Sequence, residues 1–518
     1  MPYESPRMNS EPPRISRRTL LGTTVALAAL TGATSACSSI SGVAGQTAGS
    51  PRLRSPEAFA TALAIPTLQE GRVGPDGVRE FSLTAQQGGT SDFGGAAPTP
   101  TWGFDGNYLG PTLRARQGED VRVTVTNELG KMTTVHWHGM HLPAKYDGGP
   151  HQPIEPGDTW VPAWQIKQEP ATLWYHPHPH GATEEHVYRG LAGFFLLDPT
   201  DGPHTFLPNR YGIDDIPVVV QDKKLNADGT LNFDDTGNEI GLLGDTALAN
   251  GVHGAYFDVT TTTVRLRVLN GSTARSYRIG FDDDREFTLI GTDGGLLERP
   301  VALKRLAMSP GERAEVLVTL EPGETVRLRS DGADLGEIVV PRVFGDQDVA
   351  DLLELRAAAS LEPSQLLPET LTRIERLDAA DAVQERRFVF EGRDINGKRM
   401  AMDRIDETVS VDTTEIWEVH SRNPFPHNFH AHDVQFQVLT IDGQAPPPQL
   451  AGWKDTVYLE PQRTYRLIMH FADYTDTAAP YMFHCHLLLH EDDGMMGQFV
   501  VVNPGDSTDA PTIGHGDH

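Results

Sequence analysis

The chain has 518 residues, with 71 acidic against 43 basic side chains and a formal charge of −28. That length exceeds one core and points to about three domains, while the acidity argues against nucleic acid or anionic lipid as a partner. A content of 51 glycines, 38 prolines and 38% apolar residues suits a turn-rich globular protein.

Taken in chain order, Ser16-Arg17-Arg18-Thr19-Leu20-Leu21 is a twin-arginine export pattern, followed by an apolar run too short to span a bilayer. Thr34-Ser35-Ala36-Cys37 resembles a lipoprotein cleavage box and makes Cys37 a candidate lipid anchor, with simple cleavage nearby as the alternative. The stretch to Ser50 reads as a flexible tether, so residues 1–50 are signal and tether. Alternating segments such as VREFSL (78–83) and VRVTVTN (121–127) then predict half-buried strands. A first domain is expected over 75–200 and a second over 201–345, with IPVVVQD, TVRLRVLNGS and AEVLVTL as strands. The acidic, helix-forming run at 346–384 is expected to be a linker. A third domain follows over 385–503, and 504–518 is a tail.

The chain carries an internal repeat. The segments beginning GEDVRVTVTN, TTTVRLRVLN and TTEIWEVHS share a plan: an alternating strand, a polar turn, then a second strand. Histidines fill that second strand in the first and third copies and are absent from the middle one. Metal chemistry is therefore expected in the outer domains, with the middle one as spacer.

The chemistry concentrates in YMFHCHLLLHEDDGMMG (481–497). A thiolate, imidazoles and a thioether form the ligand set of an electron-transfer copper site. Cys485 and His490 can meet one metal, with Met495 approaching it axially. In an extended segment His484 and His486 point away from the cysteine and serve a different centre. A zinc site or a structural cysteine among chance histidines are the alternatives. Five His-x-His pairs occur, at 136/138, 176/178, 178/180, 430/432 and 484/486. In a strand, i and i+2 share a face, so each pair can grip one metal or two adjacent ones. If Cys485 binds metal, Cys37 has no intramolecular disulfide partner.

HWHG (136–139), WYHPHPHG (174–181), HNFHAH (427–432) and HCHLLLHEDDGMM (484–496) resemble the four signature motifs of multicopper oxidases, most nearly the bacterial three-domain laccase-like and cuprous-oxidase group. The resemblance covers roughly residues 75–503. It implies an all-β fold of three cupredoxin-like Greek-key β-barrels holding four copper ions, which passes single electrons from a donor to O2. Position by position, it implies His427, Cys485, His490 and axial Met495 at a type 1 copper, and His136 and His430 at type 2. It further implies His138, His176 and His486 at one type 3 copper, with His178, His432 and His484 at the other. Asp147 and Glu491 match the family's proton-carrying carboxylates. Asn428 departs from the pattern, because the family usually has proline there; a tuning effect at most is expected of it.

The segment entering the third domain lacks a methionine-rich insert, which favours phenols or aromatic amines over Cu(I) as donor. Met400 and Met402 keep a cuprous oxidase of copper tolerance as the second reading. A non-catalytic cupredoxin-like scaffold or a copper store is the reading from another class. Copper nitrite reductase, with fewer domains per chain, is a further alternative. A monomer at the cell envelope, periplasmic or extracellular, is expected.

Overall fold

In a computed structural model of the chain, residues 52–234, 238–508 and 511 are described. The twin-arginine segment, Cys37, the tether to Ser50 and most of the tail lie outside the described residues.

The alternation read from the sequence becomes one-sided burial. In strand Asp120–Glu128 every second side chain is buried, and Thr325–Asp331 behaves alike. Asp215–Lys223 and Gly193–Asp198 are buried along their whole length, as continuous apolar strands covered on both faces should be.

Six sheets pair into three barrels, each with its own core. Phe81, Val123, Trp137 and Phe195 pack inside the first. Val218, Leu266, Val316 and Leu353 fill the second. Phe388, Trp417, Phe429 and Phe483 fill the third. The internal repeat has a topological meaning. Its three leading strands, Asp120–Glu128, Thr263–Asn270 and Thr413–Ser421, each lie parallel to a long strand that precedes them: Arg79–Ser91, Asp215–Lys223 and Ala382–Glu391. This is an all-β fold of three cupredoxin-like domains.

The expected helix-forming linker is corrected in its first half. Ala350–Glu362 is a strand, parallel to Ala255–Thr261 and antiparallel to Thr325–Asp331 in the middle barrel. Leucine and glutamate favour helix only by tenths of a kcal/mol per residue, which sheet burial overrides. The acids that looked like a solvated helix face instead pair across the sheet, Asp351 with Arg329 at 2.6 Å and Glu354 with Arg327 at 2.9 Å. After Glu362 the chain runs without strand to the short turn Ala379–Asp381.

Leu355 and Leu366 belong to the same stretch, yet Leu355 is fully buried and Leu366 is 94% exposed. Leu355→Ala should cost about 2–5 kcal/mol and Leu366→Ala no more than about 0.5 kcal/mol. Denaturant midpoints of the two variants check this; equal shifts would restore the linker reading for the whole stretch.

Candidate metal centre

Strand register brings the histidines together. His136–His138 runs antiparallel to Thr172–His176, so that His136 faces His176. His427–Ala431 runs antiparallel to Tyr481–His484, so that His430 faces His484. The two pairs belong to the first and third barrels and meet between them: the His136 ring stacks on His432 and the His138 ring on His430, each at 3.8 Å between centroids. Potential ligand atoms lie within 4.8 Å of one another in the triples His136–His138–His176, His136–His430–His432 and His178–His432–His484.

The outward nitrogens of these rings fix what the inward ones can do. His136 Nδ1 faces the Asp147 carbonyl at 2.9 Å, His430 Nδ1 the Asp455 carbonyl at 2.8 Å, and His176 Nδ1 the Pro177 carbonyl at 2.9 Å. His484 Nδ1 faces the Cys485 carbonyl at 3.1 Å, and His432 Nδ1 the Asp147 carboxylate at 2.7 Å. A carbonyl only accepts, so these outer nitrogens carry the proton and donate it. The inner nitrogens are then bare. Burial first, and neighbouring imidazoles second, hold His430, His432 and His178 well below the usual imidazole pKa, so these rings are neutral. As a result His432 Nε2 faces His484 Nε2 at 3.2 Å, and His136 Nε2 and His430 Nε2 have no hydrogen-bond partner among the described residues; His178 Nε2 lies 3.2 Å from His484 Nε2 too, with its own Nδ1 unpartnered. Converging lone pairs with no proton between them fit a cation.

The second group is His427, Cys485 and His490, all buried. Cys485 Sγ lies 3.3 Å from His427 Nδ1 and 3.4 Å from His490 Nδ1. The outer nitrogens again face polar groups, His427 Nε2 the Asn423 amide at 2.5 Å and His490 Nε2 the Glu239 carbonyl at 2.6 Å. Burial pushes the Cys485 thiol up to about 12, so a thiolate here requires a cation beside it. One sulfur and two imidazoles suit copper. Met495 is wholly buried, and its carbonyl accepts the Cys485 N–H at 3.1 Å. His484 and His486 flank the cysteine and lie among the histidines of the other group, as an extended segment requires.

His486 joins none of the close triples among the described residues, and neither of its ring nitrogens has a hydrogen-bond partner. Its ring sits edge-on to His138 at 4.9 Å. Asp147 bridges two rings, with His432 Nδ1 at 2.7 Å and His136 Nδ1 at 3.4 Å. Glu491 lies between His178 and His484, each Nδ1 3.3 Å from one of its oxygens. Burial, with Asp492 adding to it, pushes the Glu491 carboxyl well above the usual range.

Sequence reasoning missed Asp455. Its carboxylate takes His138 Nε2 at 3.1 Å and the Arg313 guanidinium at 2.7 and 2.5 Å. Arg313 comes from the middle barrel, which therefore does more than separate the outer two. Lys454, bonded to Asp293 at 2.9 Å and Glu312 at 2.7 Å, extends the same buried network. Removing one partner of such a network leaves an unpaired buried charge, at a cost of about 3–5 kcal/mol. The signal was present in WKDTV, but nothing in that string reveals a contact with residue 138.

Three multicopper oxidase family models match the chain, over residues 86–202, 222–327 and 369–505. A multicopper oxidase of Staphylococcus haemolyticus is 34% identical over 447 residues, covering 85% of this chain and 92% of that protein. The cell division protein FtsP of Escherichia coli is likewise 34% identical, over 449 residues, with 85% and 93% covered. The laccase of Pediococcus acidilactici superposes with a TM-score of 0.79 at 34% identity, covering 88% of this chain and 97% of that one.

Other histidines near the motifs serve structure. His151 Nε2 bonds Gln498 at 2.7 Å and His186 Nδ1 bonds Thr133 at 3.0 Å, while His180 is exposed. His141, of the first barrel, is held between Asp433 at 2.7 Å and Asp473 at 3.1 Å of the third. Burial would lower its pKa, but the two carboxylates outweigh burial and push it up to about 9. The raised folded value means that the protonated form is the stabilised one. Its contribution is complete below the unfolded value of about 6.5 and is lost as pH rises through about 9. The gap in thermal midpoint between wild type and His141→Gln should therefore be widest below pH about 6.5 and close by about pH 10. A pH-independent gap would remove the imidazolium from this contact.

Proposed function

The chain belongs to the multicopper oxidase family, and on that basis we propose that it is an exported, laccase-like enzyme that takes single electrons from phenols or aromatic amines and reduces O2 to water. Membership makes it a copper oxidoreductase. The observation that carries the finer reading is the convergence of neutral, bare imidazole nitrogens from two barrels beside a buried thiol on the same strand end.

His427, Cys485 and His490, with Met495, would hold a type 1 copper. His136 and His430 would hold type 2, and His138, His176 and His486 together with His178, His432 and His484 would hold the type 3 pair. Four coppers so bound supply one-electron chemistry at the sulfur and four-electron reduction of O2 at the cluster. The chain's residues supply the rest. The peptide bonds flanking Cys485 link its sulfur to His484 and His486. Asp147 and Glu491 touch cluster histidines and are the carboxylates that would hand protons to oxygen.

The donor reading rests on the rim of the thiol group. Phe425 packs on both outer rings, 5.0 Å from His427 and 5.9 Å from His490. Beside it the Val339 N–H donates to the Pro424 carbonyl, which keeps two exposed valines, Val339 and Val340, against this edge. Glu239, whose carbonyl caps His490, adds a carboxylate that is 63% exposed and pairs with Arg393 at 3.6 Å. An apolar lip bearing the Glu239–Arg393 pair suits a phenol or aromatic amine better than a metal ion. Met400, whose N–H donates to the Gly494 carbonyl, supports the cuprous alternative. The 34% identity to the cell division protein FtsP supports the scaffold alternative, against which stands the presence in this sequence of every histidine and the cysteine that the resemblance calls for. Export rests on the twin-arginine run, and four-copper stoichiometry on the count of donors.

O2 uptake over a panel of phenols and Cu(I) tests the donor: phenols should be turned over faster, and a rate confined to Cu(I) would overturn the reading. Cys485→Ser should lose the blue absorption and the oxidase activity together, while keeping copper at the histidine cluster; a variant that stays blue would sink the sulfur's role. Asp147→Asn should retain full copper and the blue band yet slow reoxidation of reduced enzyme by about 10²-fold, the scale of a lost proton donor. Stopped-flow mixing with O2 measures that step, and a wild-type rate would remove Asp147 from it.

A further inference from the structure

Asn428 stands where the family usually carries proline, and the structure uses both ends of its side chain. The residue is fully buried. Its Oδ1 accepts the His486 backbone N–H at 2.6 Å and lies 3.7 Å from Cys485 Sγ. Its Nδ2 donates to the Pro310 carbonyl at 2.8 Å and to Ser309 Oγ at 3.2 Å. Proline has no group that could make any of these bonds.

The N–H that Asn428 receives belongs to the peptide bond joining Cys485 to His486. The group to which Asn428 donates is a turn of the middle barrel, between strands Arg305–Met308 and Arg313–Thr319. That turn is itself fixed, since Ser309 donates through both N–H and Oγ to Glu312, at 2.6 and 2.9 Å. It also presses on the histidines. Gly311 has φ +87°, and a Cβ there would lie 3.2 Å from the His486 ring and 3.3 Å from that of His138. With neither ring nitrogen of His486 hydrogen-bonded, the backbone bond to Asn428 is what sets the height of this residue against the turn.

We propose that Asn428 is a positioning residue for electron transfer: its amide pins the Cys485–His486 peptide, the covalent link from the thiol group to the histidine cluster, to the Ser309–Gly311 turn of the middle barrel. The electron-transfer part rests on the reading of Cys485 as a type 1 ligand; the pin itself rests on the hydrogen bonds alone. Loss of the amide frees the peptide. It also removes a carbonyl dipole whose negative end faces the sulfur and favours the more positive, oxidised state of a metal bound there. Deleting that dipole therefore raises the reduction potential.

The test uses Asn428→Leu, close in volume and unable to hydrogen-bond. In copper-free protein, amide exchange at His486 should accelerate by about tenfold, the equivalent of one lost hydrogen bond. In copper-loaded protein, redox titration of the blue band should give a higher potential than wild type. A folded variant with unchanged His486 exchange, or with an unchanged potential, would overturn the proposal and reduce Asn428 to packing. If the leucine variant does not fold, Asn428→Pro, the family's usual residue, takes its place with the same two readouts. A copper-loaded wild type without a blue band would overturn the type 1 reading and the electron-transfer role with it, while the exchange rates would still decide whether the peptide is pinned.

Discussion

The structure depends on an arrangement that is unfavourable until a cation enters it: neutral imidazoles packed with their lone pairs facing inward. His432 and His178 each point Nε2 at that of His484 across 3.2 Å, and on His432 and His484 the ring proton is bound on the far side. Burial disfavours adding another, because an imidazolium here would be desolvated and surrounded by its own kind. Backbone carbonyls fix the outer N–H of His484, His136, His430 and His176, and the Asp147 carboxylate that of His432. Ligand preorganisation of this kind couples metal affinity to folding, since the unfolded chain holds no such site.

The same constraint explains the use of three barrels. Each outer barrel contributes one pair of antiparallel strands with histidines in register, and neither pair alone encloses the cluster. The outer barrels are therefore bound to each other by the site as much as by their surfaces. The middle barrel has no histidine in the cluster, yet Arg313 reaches the carboxylate that holds His138. A spacer would need neither that buried charge nor the Ser309–Gly311 turn against the histidine rings. Its part is to fix the height of the third barrel's ligand segment.

Much of the donor set was legible because its information is local. A period of two puts His136 and His138 on one face, and the flanking positions of Cys485 separate sulfur from histidines by strand geometry alone. The repeat was legible for the same reason, and it located the three leading strands but not the parallel partners that precede them. Asp455 and Asn428 were not legible in role. Each acts across more than a hundred residues of sequence, on His138 and on Pro310, and no local pattern encodes such a register. Ala350–Glu362 was misread for a related reason: intrinsic propensity is weak beside two neighbouring strands that supply hydrogen bonds and arginine partners.

Cys485 is a residue of the third barrel's core and not an appendage to it. It packs in the same cluster as Trp417, Phe429, Phe483 and Met495, each almost or fully excluded from water. Such interiors are as dense as organic crystals and yield little when charge changes. An electron-transfer group gains from that stiffness, because reorganisation of the surroundings sets much of the barrier to a one-electron step. The thiol group and the histidine cluster are then two faces of one rigid strand end. Tyr481–His484 pairs on one side with Met496–Val502 and on the other with His427–Ala431. Neither centre can shift without carrying the other along, and the only covalent distance between them is a single peptide bond on either side of the sulfur's residue. On the reading of Cys485 as a type 1 ligand, the aromatic core would thus be part of the electron path's mechanics, even where no aromatic ring lies on the path.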